Sequence, residues 1–262
     1  MRNKHILLAL AGLLLLPALG NAQFDEVGTF IGISNYSGDL TDRALEPLEF
    51  NLGVGLFMRY HYQKRWSLKA QFSRGEISGS DANTALERSN WQRNLSFHSE
   101  LYELAALVEY KLYEVKSGYY QCSPYVFAGV AGFYFNQQAD MNGDTYNLHS
   151  HQTEGVDYGL VQPSIPFGGG IQLNLNNKGS IGLEVGFRKT FTDYLDDVSR
   201  SYPKNIDHLV ETNALAAKLS YRTPEILPNS QASPAPGSGR GNPKSKDWYM
   251  FFGLTLAVNL KE

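Results

Sequence analysis

The sequence predicts an all-β protein: an eight-stranded antiparallel up-and-down transmembrane β-barrel with short periplasmic turns and long extracellular loops. Three observations carry this reading. Segments of roughly ten residues alternate apolar and polar side chains, the period of a strand with two unlike faces. The links between them alternate between tight and long. Past the N-terminal leader, no stretch is long and apolar enough for a membrane helix, so a membrane-spanning form of this chain is a closed barrel.

Taken in order, the first segment, Glu26–Ser34, sets Val27, Thr29, Ile31 and Ile33 against Gly28, Phe30, Gly32 and Ser34. In Phe50–Tyr62, Leu52, Val54, Leu56, Met58 and Tyr60 oppose Gly53, Gly55, Phe57, Arg59 and His61. In Trp66–Gly75, Leu68, Ala70 and Phe72 oppose Lys69, Gln71 and Ser73. The fourth segment, Leu95–Lys111, alternates well from Tyr102 onward, with Leu104, Ala106 and Val108 on one side. Its first part runs on the opposite phase, which predicts a bulge near Ser99. The fifth, Ser123–Asn136, is apolar on both faces and leaves its phase open. The sixth, Gln162–Leu175, puts Ile165, Phe167, Ile171 and Leu173 opposite Ser164, Gly168, Gly170 and Gln172. Ser180–Arg188 and Trp248–Leu260 complete the even set.

The links after the second and sixth segments are tight, at 63–65 and 176–179, and the link after the fourth is moderate, at 112–122. Those after the first, third, fifth and seventh are long: Ser37–Glu49, Gly79–Asn94, Gln137–Val161 and Thr192–Lys246. That asymmetry places both termini on the short-turn, periplasmic rim. In the last loop, Asp207–Tyr221 spaces its apolar residues as a short helix does, whereas 223–246 is rich in Pro, Ser and Gly and is expected to be mobile.

Composition agrees with this class. The chain has 262 residues with 25 Gly, 16 Tyr and 14 Phe, and is 13% aromatic but only 19% charged. Disordered chains have the reverse balance. The single cysteine, Cys122, excludes a disulfide scaffold and is read as a packed, inert thiol. A formal net charge of −3 gives no basic footprint for nucleic acid. A mean hydropathy of −0.32 argues against a bundle of membrane helices.

Residues 1–22 read as a secretory signal peptide. Arg2, Lys4 and His5 precede the apolar run Ile6–Leu16, then Pro17 and the small-residue site Gly20-Asn21-Ala22, with cleavage expected before Gln23. No cysteine stands at that site, so a lipoprotein anchor is not expected. Residues 23–262 are expected to form a single barrel domain in the outer membrane, without a solenoid repeat.

If the apolar faces meet lipid, the opposite faces fill the lumen, and an eight-stranded barrel is just wide enough for side chains to fill it. The expected lumen polar network comprises Arg59, His61, Lys69, Glu103, Glu109, Lys111, Glu184 and Arg188. It reads as salt bridges plugging the interior, with a proton or ion path as the alternative. Tyr60, Tyr62, Trp66, Tyr110 and Trp248 lie near strand ends, where an interfacial aromatic girdle sits. A soluble lipocalin-like barrel would invert the faces and leave the Arg and Glu side in water.

No catalytic, cofactor or metal residues are expected. His98-Ser99-Glu100 invites a lipid A-deacylase reading, but neighbouring strand residues point to opposite faces, and a nucleophile needs its base within about 3 Å. Two loop histidines, His149 and His151, fall short of a metal set. Asp193, Asp196 and Asp197 lack the alternating ligands and turn glycine of a calcium loop. They read either as a solvated rim turn or, with Tyr194, Tyr202, Arg188, Lys189 and Arg200, as a network that orders the loop or meets a partner. Gly168-Gly169-Gly170 lies within a strand, where it permits tight curvature rather than phosphate binding.

The strings SNYSGDL (Ser34–Leu40), MRYHYQKRWSLK (Met58–Lys69), RNLSFHSELYEL (Arg93–Leu104), SPYVFAGVAGFYF (Ser123–Phe135), LEVGFRKTFTDYLDDVS (Leu183–Ser199) and RGNPKSKDWY (Arg240–Tyr249) resemble the PorG-like outer-membrane β-barrel proteins. Those accompany the type IX secretion system and its gliding machinery in Bacteroidota-type bacteria. The resemblance covers nearly all of the chain past the leader. It implies a non-catalytic barrel, without a cofactor or small-molecule substrate, that works with other outer-membrane components and with a periplasmic ring of a lipoprotein and a partner protein. The two most specific strings hold Asp193, Tyr194, Asp196, Asp197, Arg240, Asp247 and Trp248, the candidates for partner contact or loop ordering. Two features depart from such barrels: the chain ends Leu260-Lys261-Glu262 rather than in an aromatic residue, and the Pro-rich insert before Arg240 is longer than a barrel needs. A stand-alone structural or adhesive barrel is the alternative, with a lipid A-modifying enzyme behind it.

Overall fold

The structure, a computed structural model, describes residues 24–41, 43–83, 89–117, 120–175, 178–231 and 233–260. The expected leader, residues 1–22, lies outside them. The described strands are β1 (Glu26–Ser37), β2 (Asn51–His61), β3 (Trp66–Ser80), β4 (Ser96–Lys111), β5 (Val115–Ser117), β6 (Tyr120–Met141), β7 (Asp144–Asn147), β8 (Val161–Leu175), β9 (Gly179–Thr190) and β10 (Trp248–Asn259). Eight of them form a ring in the order β1-β2-β3-β4-β6-β8-β9-β10, every pairing antiparallel, and β1 pairs with β10 to close it. The short β5 and β7 only extend hairpins off β6. Closure satisfies every wall strand on both sides and removes the edges that an open sheet would expose.

The two faces divide as the alternation predicts. On β2, Leu52, Val54, Leu56 and Met58 are exposed while Gly53, Gly55, Phe57 and Arg59 are buried. On β3, Leu68 and Phe72 are exposed while Lys69, Gln71 and Ser73 are buried. Leu56 is 61% exposed and Lys69 1%. Water would reverse that ordering, because an exposed Leu forgoes about 1.5–3 kcal/mol of burial and an unpaired buried ammonium is dearer still. The barrel is therefore built for lipid outside, and the lipocalin-like inversion fails. Among the described residues no helix is long and apolar enough to cross a membrane.

The outward apolar band of β3 starts at Trp66 and is closed by Arg74, which pairs with Glu100 on the outside of β4. At about 3.3 Å per residue and a tilt of about 40°, that stretch spans roughly 20 Å, close to the about 25 Å expected of such a band.

Strand β6 resolves the phase the sequence left open. Tyr125, Phe127, Phe133 and Phe135 point inward and Val126, Val130 and Tyr134 outward. The facing strands explain the choice. A Cβ on Gly168 or Gly186 would lie 2.8 Å from Cζ of Phe127, and one on Gly170 would lie 2.7 Å from Cζ of Tyr125. The glycines thus make room for two rings inside the barrel. Gly170→Val is expected to displace Tyr125 and to lower stability by about 1–3 kcal/mol, read as a shift of the urea midpoint in detergent.

The predicted bulge near Ser99 is absent. Registers of β4 run unbroken from Trp66↔Tyr110 to Ser80↔Ser96 on one side and from His98↔Gln138 to Lys111↔Tyr125 on the other. The environment changes rather than the backbone. Phe97 and Leu101 enter an apolar upper lumen with Phe30, Tyr36, Ile77, Phe133, Phe135, Tyr249 and Phe251. Ring contacts fix this layer: centroids lie 5.0 Å apart for the edge-on Tyr36–Phe97 pair, 5.9 Å for the edge-on Phe30–Phe251 pair and 5.1 Å for the tilted Phe133–Tyr249 pair. The interior is thus polar at the short-turn end and aromatic toward the long loops.

Over that second end sit four short helices: α1 (Leu148–His151), α2 (Ile206–Thr212), α3 (Ala214–Ser220) and α4 (Thr223–Ile226). The helix expected over 207–221 is two helices, because Asn213 breaks the run and its side chain caps α3 by accepting from the Ala216 amide. Ile206, Ala216 and Leu219 are buried.

Candidate functional site

Two side-chain networks, one in the lumen and one in the cap, hold the residues that the sequence singled out. In the lumen, Arg59 is paired with Glu26 and, through Nε, with Glu109 Oε2 at 2.6 Å. Lys69 Nζ lies 2.7 Å from Glu184 Oε2 and 3.8 Å from Glu109 Oε1. Arg188 Nη2 lies 3.0 Å from Glu103 Oε1. Tyr125 donates to Glu184 Oε2 at 2.6 Å and Tyr249 to Glu103 Oε2 at 2.7 Å. Strands β3 and β9 lie on opposite walls of the ring, so the Lys69–Glu184 pair crosses the full lumen. At the lower mouth the half-buried His61 ring nitrogens meet Glu26 at 2.9 Å and Ser67 at 2.8 Å. Lys111 is half-buried at the same rim.

The arrangement follows from register. Arg59 stands directly between Glu26 and Lys69 on its neighbouring strands. Two cations side by side repel unless carboxylates stand around them, and Glu26, Glu109 and Glu184 do so. Glu26, Tyr125 and Tyr249 were missed from sequence. Glu26 was legible, being one step before Gly28 on the inward face of the first strand. The tyrosines were not, because the phase of β6 was open and Tyr249 belongs to the upper layer.

In the cap, Asp193, Tyr194, Asp196, Asp197, Arg240 and Asp247 are buried. Trp248 is half-buried on the outer wall, edge-on to Phe167 at 5.9 Å with Lys189 Nζ 5.8 Å from its ring. The aspartates are thus no solvated turn; they pin loops together. Asp197, at φ 63°, accepts from the Thr153 hydroxyl and from Tyr158 at 2.6 Å. Aspartate tolerates that left-handed backbone better than most residues. Tyr158 stacks on Tyr194 at 4.5 Å. Arg240 donates to the Asp197 carbonyl at 2.5 Å and to Glu154 Oε1 at 3.2 Å. Glu154 in turn accepts from the Ser199 amide at 2.9 Å. Arg93 reaches Asp81 at 2.6 Å and the carbonyls of Asp39 and Arg240 at 2.8 and 2.5 Å. Contacts among Asp39, Asp81, Arg93, Glu154, Tyr158, Asp197 and Arg240 therefore join all four long loops. The Pro-rich segment is pinned at its far end by Arg240.

Asp196 and Asp247 differ from their neighbours. Asp196 accepts from the Tyr36 hydroxyl at 2.5 Å and the Val198 amide at 2.9 Å, and Asp247 from the Leu195 amide at 2.9 Å. The nearby cations pair elsewhere: Arg240 with Glu154 and Asp197, Lys246 with Asp193, and Arg93 with Asp81. Burial, reinforced by Asp39 for the first and by Asp196 for the second, pushes both carboxyls well above the usual carboxylate range. Burial also raises Asp39, Asp193 and Asp197.

The hydrolase and metal readings gain no geometry. Ser99 is buried facing inward and accepts from the Asn136 amide at 2.9 Å, while His98 lies on the outer face, 3.8 Å from Asp140. His149 Nε2 donates to the Tyr158 carbonyl at 2.8 Å. Among the described residues no three His, Cys, Asp or Glu side chains are grouped to hold a metal ion.

A family described as a domain of unknown function, DUF6089, matches residues 4–213. No curated protein matches the chain. Among solved structures the chain is similar to Ail, the attachment invasion locus protein of Yersinia pestis, at 11% identity, covering 90% of this chain and 99% of that one with a TM-score of 0.38. It is similar to Neisserial surface protein A at 7% identity, 90% and 96% coverage and a TM-score of 0.43. It is also similar to the outer membrane protein OprG of Pseudomonas aeruginosa at 10% identity, 90% and 96% coverage and a TM-score of 0.38.

Proposed function

The chain belongs to the DUF6089 family, and from that premise we propose that it is a non-catalytic outer-membrane anchor of the type IX secretion and gliding machinery. In this reading the short-turn rim and the termini dock a periplasmic ring, and the capped loops meet outward-facing components. The observation that carries the anchoring role is the filled interior: a charged layer spans the lumen, an aromatic layer lies above it, and the loop cap closes the top. Such a barrel holds a position in the membrane and conducts nothing the size of a protein. The type IX assignment is supported by the strings around Asp193–Ser199 and Arg240–Tyr249. Because Asp193–Ser199, Arg240 and Asp247 are buried, their side chains serve partners by holding the loops in shape. Reconstituted in planar bilayers, the protein is expected to give no stepwise conductance.

A stand-alone structural or adhesive barrel is the second reading. The ordered cap favours it, since four tied loops present one fixed outer surface without help from a partner. Crosslinking in native envelopes, tagged pull-down and mass spectrometry separate the two. Near-stoichiometric ring lipoprotein supports the secretion role, and recovery of the barrel alone overturns it in favour of the second.

A further inference from the structure

We propose that the short-turn rim around Trp66 binds one anionic phospholipid of the inner leaflet, its phosphate held by Lys64 and Arg65 and an acyl chain laid beside Leu68 and Val108. This rests on the membrane-spanning reading above. Two grooves meet here and share Gln63 and Trp66. One, of about 530 Å³, is lined by Gln63, Lys64, Arg65, Trp66 and Tyr110. The other, of about 410 Å³, is lined by Tyr62, Gln63, Trp66, Ser67, Leu68 and Val108. The first is cationic and the second largely apolar. No carboxylate is among these described lining residues.

The cations stand on a fixed turn. The Gln63 amide donates to the Trp66 carbonyl at 3.2 Å and the Lys111 amide to the Arg65 carbonyl at 2.8 Å. Arg65 Nη1 donates to Tyr110 Oη at 3.3 Å, which aims the guanidinium along the rim. Trp66, tilted against Tyr110 at 4.7 Å, forms the wall between the grooves. Indole and phenol rings at this level mark the headgroup boundary.

The occupant follows from continuity and charge. Leu68 and Val108 are exposed members of the lipid-facing band, so the apolar groove opens into hydrocarbon and takes an acyl chain. The other groove sets two cations beside the headgroup. A zwitterionic headgroup brings its own ammonium, which they repel, whereas phosphatidylglycerol brings only the phosphate. Arg65 can grip phosphate with two N–H groups, and Lys64 adds a point charge. Two basic side chains at an interface give a preference of about thirtyfold for the anionic lipid.

The test uses the full chain past its leader, inserted in nanodiscs of phosphatidylethanolamine with a minor fraction of phosphatidylglycerol. Native mass spectrometry counts retained lipids, and a heat-dependent gel shift reports insertion separately. The wild type is expected to retain one phosphatidylglycerol at about thirtyfold enrichment over its share of the bilayer. The Lys64→Gln, Arg65→Gln double variant is expected to lose the enrichment and keep the gel shift, since both side chains are exposed. A folded, inserted wild type without enrichment, or a double variant that keeps it, overturns the lipid site alone. Failure of the wild type to insert overturns the membrane reading beneath it.

Discussion

Arg188→Ala is expected to cost the barrel about 3–5 kcal/mol of unfolding free energy, because it strands a buried carboxylate. Arg188 is 1% exposed and Glu103 is 0% exposed. The guanidinium holds Glu103 through Nε at 3.1 Å and Nη2 at 3.0 Å, donates to the Gly186 carbonyl at 2.6 Å and lies over the Phe251 ring at 4.7 Å. Without it, the buried Glu103 carboxylate is left with the Tyr249 hydroxyl in place of a cation. The intact pair itself adds little net stability, since desolvating both ions offsets most of their attraction. Arg188→Met combined with Glu103→Gln is therefore expected to recover more than half of the loss, with Gln still accepting from Tyr249. Urea unfolding in detergent measures all three proteins. A loss under about 1 kcal/mol for Arg188→Ala would mean that water reaches Glu103 and the lumen is not plugged at this level.

The second large effect is a pH dependence of the cap. Asp196 and Asp247 have carboxyls raised above their ordinary value of 3.8 by burial and by acidic neighbours. A raised carboxyl pKa means that the ordered cap binds more protons than the opened one. Stability contributed by this site is then full in acid, below the ordinary value, and falls as pH rises through the raised one. Asp39, Asp193 and Asp197 shift in the same direction and add to the slope. One linked proton changes the opening constant about tenfold per pH unit across the window. Amide exchange at Leu195 and Val198, whose N–H groups donate to Asp247 and Asp196, reads that constant once corrected for intrinsic rates. Protection is expected to weaken from mildly acidic to alkaline pH in the wild type. Asp196→Asn, which can still accept from Val198 and bond to Tyr36, is expected to flatten the slope. An equal slope in both proteins would remove the carboxyl pair as its source.

What could be read from the sequence depended on how far a residue's partners lie. Strands β2, β3 and β9 alternate through their wall segments, so their lipid faces were legible residue by residue, whereas β10 is apolar on both faces from Trp248 to Phe252 and Met250 on its outward phase is buried. The phase of β6 was not, since Val126 and Phe127 are equally apolar; Gly168 and Gly186, on neighbouring strands, leave the space that turns Phe127 inward. One cause misled the reading of β4. Phe97 and Leu101 enter an aromatic layer, so the inward face is apolar there and polar lower down, and a change of surroundings resembled a change of backbone phase. In the lumen, Arg59, Lys69, Glu184 and Arg188 were identifiable as inward because each interrupts an apolar alternation. Which carboxylate meets which cation depends on the circumference, as the pairing of Lys69 with Glu184 across the barrel illustrates. The cap was the least legible part. Spacing alone could not tell Asp193, Asp196 and Asp197 from an exposed acidic turn, because Tyr36, Thr153, Tyr158 and Arg240 reach them from other loops.

The most direct test of the central claim, a lipid-facing belt around a plugged lumen, is paramagnetic accessibility of single cysteines in a Cys122→Ser background. Nitroxide labels are placed at Leu56, Phe72, Val130 and Leu254 on the outer wall, at Ser73 and Ser123 inside, and at Ser78 above the belt, with the protein in liposomes. The outer four are expected to collide freely with oxygen and hardly with a water-soluble nickel chelate. The inner two should be reached by neither reagent, and Ser78 by the chelate. Chelate access at Leu56, Phe72, Val130 and Leu254 equal to that at Ser78 would contradict the membrane belt, and chelate access at Ser73 or Ser123 would contradict the plug.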